Sequence, residues 1–148
     1  AAISIVAIVA LGTGMGIGRW YGGLVLKNLP LDSQLLAIIA LQFLGFLGFW
    51  LSHNMVISLI CLLVVGLGIS MQFALSSIRL IGLSDGRPDL AIGRASLAAG
   101  VAIAGAPFLL GLLGDSFGIS RAYIMVFVLI GVAFIIVKAI PSDVKESV

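Results

Sequence analysis

Five runs of apolar residues tile almost the whole of this chain, and they limit its fold more than any other feature. A helix crosses about 30 Å of hydrocarbon with roughly 17 to 25 consecutive apolar residues. Ala1 to Gly18 carries no charge, Ser33 to Ser52 lies between Asp32 and His53, and Asn54 to Ile78 ends at Arg79. Ala95 to Gly114 lies between Arg94 and Asp115, and Ala122 to Ile140 holds only Lys138, near enough to its end to snorkel. The runs are continuous and do not alternate with period two, so a membrane barrel is excluded. Only 9% of residues are charged, against about 25% in a soluble domain, and 61% are hydrophobic. The expected fold class is all-α: a polytopic membrane protein of five transmembrane helices, forming a single domain over residues 1–148.

The basic residues predict an orientation, because Lys and Arg collect on the cytoplasmic side of short loops. Arg19 and Lys27 fall at the first connection, Arg79, Arg87 and Arg94 at the third, and Lys138 and Lys145 at the tail. The second connection has none and the fourth has Arg121 alone. Seven against one places the odd connections and the C-terminal tail in the cytoplasm. The net charge of +2 follows from that topology and gives no reason to expect a nucleic-acid partner. The chain starts inside an apolar run without an initiator Met, a basic leader or a cleavage site, so we expect a fragment, not a signal peptide. Its one cysteine, Cys61, lies in an apolar run and reads as a small buried hydrophobe.

The glycines of "GTGMGIGRWYGG", Gly12 to Gly23, fit no frame of the dinucleotide fingerprint and contain no nucleotide P-loop. In lipid they have another use. Helices there gain little from hydrophobic association and rely on close approach across small residues. Gly12 with Gly16, and Gly14 with Gly18, form two small-xxx-small pairs. In the fourth run Gly105, Pro107 and Gly111 are candidates for packing or for a hinge, with a bend expected where Pro107 removes the donor to the Ile103 carbonyl.

At these two glycine-rich stretches the chain resembles the major facilitator superfamily of secondary transporters. Gly22, Gly23, Leu24, Val25, Leu26, Lys27 and Asn28 follow that family's loop signature, with Lys27 at the basic position, although Leu26 and Leu29 replace its Asp and last Gly. Gly100, Gly105, Ala106, Pro107 and Gly111 look like a relaxed form of the family's Gly-Pro motif, three helices later. The resemblance implies that the five spans are helices eight to twelve, most of one half of a twelve-helix transporter in the cell membrane, as in a bacterial inner membrane. Its partners would be a small-molecule substrate, the lipid bilayer and the N-terminal half of the same transporter.

Every carboxylate falls in a connection or the tail, so we expect no enzyme, metal site or cofactor: no intramembrane His, Asp or Glu is there to act as ligand or base. The polar groups within the runs are amides and hydroxyls. Gln72, Ser76 and Arg79 recur at i, i+4 and i+7, on one helical face. The resemblance makes their span the tenth helix, so this strip would face substrate. The alternative is that Gln72 bonds a neighbouring helix and Arg79 is an ordinary cytoplasmic-side cation. Gln42 is expected to serve packing, and Trp20, Tyr21 and Trp50 to mark the interfaces. The expected function is secondary-active or facilitative transport of a small solute by alternating access. A non-transporting membrane scaffold or sensor of the same fold is the alternative, and a channel ranks below both for want of polar stripes on several helices.

Overall fold

The computed structural model describes residues 2–26 and 28–140. Six helices follow in chain order: α1 (Ala2–Leu26), α2 (Leu31–Leu51), α3 (Met55–Gly82), α4 (Pro88–Phe117), the short α5 (Ile119–Ala122) and α6 (Ile124–Ala139). The chain is all-α, and five helices are long and apolar enough to cross a membrane, the fifth formed by Ile119–Ala139. Local chemistry sets their ends. The Asn54 side chain accepts from the Val56 N–H at 2.9 Å and so caps α3. Pro88 opens α4 where its missing N–H costs nothing, and Gly118, at φ 84°, turns the chain at its end.

The helices form a row. α3 lies between α1, which runs parallel to it, and α2, which runs antiparallel, and α6 packs on the far side of α2. Leu35, Ile38 and Ile39 of α2 are almost fully enclosed. An edge-to-face aromatic stack joins Phe43, Phe46, Phe49 and Trp50 of α2 to Tyr123 and Phe127, and the Trp50 indole donates to the Ser120 carbonyl at 3.2 Å. α4 touches α3 but buries none of its residues.

The α1–α3 seam is built on glycine, in a register narrower than expected. A Cβ on Gly14 would overlap the Leu63 carbonyl oxygen, one on Gly18 would stand 2.7 Å from the Leu67 carbonyl oxygen, and one on Gly66 would overlap the Leu11 carbonyl oxygen. The two backbones therefore meet directly. Gly12 and Gly16, also expected to pack, have nothing within 4 Å, and Gly105 and Gly111 of α4 are open in the same way. α4 runs as one unbroken helix through Pro107.

Helix ends also differ from expectation. α1 does not stop at Gly18 but continues to Leu26, so Gly22 and Gly23 of the loop signature lie within a helix, Gly22 against Met71; Lys27 lies outside the described residues. Asp32, Asp89 and Asp115, expected in connections, sit in the end turns of α2 and α4, where the first two complement the positive helix end.

Candidate functional site

The polar groups at membrane depth separate into two places. The first is a clasp at one end of the row. Arg79 is buried beneath the start of α2 and the end of α6. Its Nε stands 3.0 Å from Asp32 Oδ1, held by charge rather than by a directed hydrogen bond, while Nη2 donates to the Val137 carbonyl at 3.4 Å and to the Ile140 carbonyl. Val137 lies in the last turn of α6 and Ile140 caps it, where carbonyls have no backbone donors within the helix. One guanidinium thus ties three helix ends together. Arg79 is engaged within the chain, and the three-residue strip divides: Gln72 is half-buried with no hydrogen bond among the described residues, and Ser76 is exposed.

The second place is halfway along the row. Asp32 and Trp50 mark the two ends of α2, eighteen residues and about 27 Å apart at 1.5 Å per residue, close to the thickness of a hydrocarbon core. Gln42 lies near their midpoint and packs on Gly68 of α3, its Nε2 buried without an acceptor. Leu67, one residue before Gly68, touches Gly18 of α1. The Arg19 backbone therefore lies level with Gln42, within α1 and seven residues before its end at Leu26, and not in the first connection where the charge count puts it. Trp20 and Tyr21 move inward with it.

Arg19 borders a groove of 510 Å³ between α1 and α3, lined by Met15, Gly16, Ile69, Ser70 and Phe73. An adjoining groove of 220 Å³ also holds Arg19 and Ser70, with Gln34 of α2. The Arg19 side chain is exposed to this space, and no carboxylate pairs with it among the described residues. Ser70 retains 9% exposure, and its hydroxyl has no hydrogen-bond partner. The groove opens on the side of α3 that neither α1 nor α2 covers, where Ile69, Phe73 and Ser76 are exposed and Gln72 is at the edge. An arginine, two hydroxyls and an amide thus border one uncovered face.

The sequence did not place Arg19 inside a helix, because a charge in an apolar run looks like its end. The available signal was "RWYGGLVL", eight residues after Gly18 with no helix breaker other than glycine, followed by proline only at Pro30. No group of three or more His, Cys, Asp or Glu side chains able to hold a metal occurs among the described residues. No family model, curated protein or solved structure matches the chain.

Proposed function

We propose that this protein carries a small solute across the cell membrane by alternating access, as a member of the major facilitator superfamily in which the five spans are helices eight to twelve and the C-terminal tail is cytoplasmic. The observation that carries this reading is the uncovered side of α3. Two faces of that helix are closed by α1 and α2, while the face bearing Ser76, with Gln72 at its edge, is left bare at membrane depth. A bare apolar face needs only lipid. Amides and hydroxyls there are better solvated by a water-filled path between two halves that rock about a midplane site.

Gln72→Cys and Ser76→Cys, each in a Cys61→Ala background, test the reading with a membrane-impermeant thiol reagent. In right-side-out and inside-out vesicles of the full-length protein, both positions should label, at rates that differ between the two sides and respond to a transported solute. Failure of both to label from either side would mean a lipid-facing or sealed α3, and would leave the non-transporting scaffold as the better reading.

A further inference from the structure

We infer that Arg19 and Ser70 form a binding point for a small monoanion, a carboxylate or an inorganic oxyanion, and that the solute carried bears such a group; the second half of this inference rests on the transport reading above. An arginine near mid-bilayer is costly, and it persists where it faces a cavity and meets a counter-charge. Guanidinium does not shed its proton, so water in the groove can solvate it but only an anion there neutralises it. None of the described carboxylates supplies it. Its planar fork offers two parallel N–H donors to two oxygens of one carboxylate or oxyanion.

Ser70 points to a ligand independently. The residue is about nine-tenths buried and lines the same groove, and its hydroxyl has an unmade hydrogen bond. Buried hydroxyls without partners are uncommon, and an oxygen acceptor held by Arg19 would complete this one. A serine in a helix can bond the carbonyl one turn back, as Ser77 does to Phe73 at 2.8 Å; Ser70 does not.

The depth separates two sources of the anion. Gln42, level with Arg19, is ten residues along α2 from Asp32 and eight from Trp50, about 15 and 12 Å of helix. A phospholipid phosphate sits outside the hydrocarbon core, beyond both ends of that interval. A soluble anion entering a water-filled path reaches Arg19 without crossing lipid. Among the described residues no second free cation borders the groove, which favours a single negative charge: Arg79, a buried guanidinium, is held by Asp32.

The test is thermal stabilisation of the full-length protein in phosphatidylcholine nanodiscs, titrated at constant ionic strength with sodium benzoate, nitrate or inorganic phosphate against chloride. At least benzoate or nitrate should stabilise the protein saturably. Arg19→Gln should weaken the apparent Kd by about ten- to a hundredfold, the value of a charge-assisted hydrogen bond. Arg19→Lys should retain part of the binding, and Ser70→Ala should weaken it several-fold without lowering the anion-free Tm, since it removes a buried hydroxyl with no partner. No stabilisation by any anion, or stabilisation indifferent to Arg19→Lys and Ser70→Ala, would overturn the site. Stabilisation that appears only when phosphatidylglycerol replaces phosphatidylcholine would assign the anion to a lipid headgroup and also overturn it. Flux is measured separately: an anion that binds through Arg19 yet is not taken up by proteoliposomes leaves the site standing and removes the transport reading.

Discussion

Gly12→Ala and Gly14→Ala place the same methyl group two residues apart on α1, and the difference between them measures the α1–α3 seam. Both variants gain the same helix propensity, up to about 1 kcal/mol, so that gain cancels in the comparison. At Gly12 the methyl meets nothing within 4 Å. At Gly14 it would overlap the Leu63 carbonyl oxygen and stand 3.0 Å from the carbonyl carbon and 3.1 Å from the Leu63 Cα. Those atoms are backbone in the middle of a helix and cannot turn aside, so α1 must retreat by something on the order of 1 Å. A gap of that size forfeits roughly a quarter to a half of each dispersion contact along the seam. The Leu11 to Gly66 and Gly18 to Leu67 contacts would loosen together. Overpacking of this kind costs about 1–3 kcal/mol, which is the expected separation between the variants, Gly14→Ala being the less stable. Reversible unfolding in mixed micelles with increasing dodecyl sulfate, followed by far-UV circular dichroism, reads it directly. Stabilities equal to within about 0.5 kcal/mol would refute the direct backbone contact.

Two further outcomes follow from the ends of the row. Arg79→Gln and Asp32→Asn, singly and together, should give a coupling free energy of about 1–3 kcal/mol in the same unfolding assay, since the pair is largely buried; a value near zero would show that the clasp rests on the α6 carbonyls alone. Single cysteines replacing Ser52 and Ser84, in a Cys61→Ala background, should label from opposite faces of the membrane, because α3 separates them; labelling of both from one face would overturn the five-span topology.

The membrane character and the five spans were legible because hydrophobic length is a local property. Which residues the helices press together was not, since it depends on the partner helix. α1 carries two interleaved small-residue pairs, and nothing within α1 distinguishes Gly14 and Gly18 from Gly12 and Gly16; the choice is made by α3, whose Leu63 and Leu67 carbonyls meet one pair. The helix end at Leu26 was obscured because Arg19 resembles a boundary and α1 is the least apolar of the five spans. Spacing alone places Gln72, Ser76 and Arg79 on one face of α3, but Arg79 is diverted by Asp32, Val137 and Ile140, groups from the start of α2 and the end of α6. Arg19 and Ser70 belong to different helices, so no spacing rule joins them.

The clasp also has an order in time. Asp32 and Arg79 are synthesised early enough to meet while α1, α2 and α3 assemble, but the carbonyls of Val137 and Ile140 emerge only after α4 has passed through the insertion machinery. Because α6 packs on α2, with α3, α4 and α5 between them in the chain, its docking closes a long loop late and against a finished three-helix unit. Until then Arg79 carries donors with no final acceptors. A chain stalled before residue 140 would therefore present an incompletely satisfied arginine at the membrane surface, a chemical mark by which an unfinished molecule differs from a finished one.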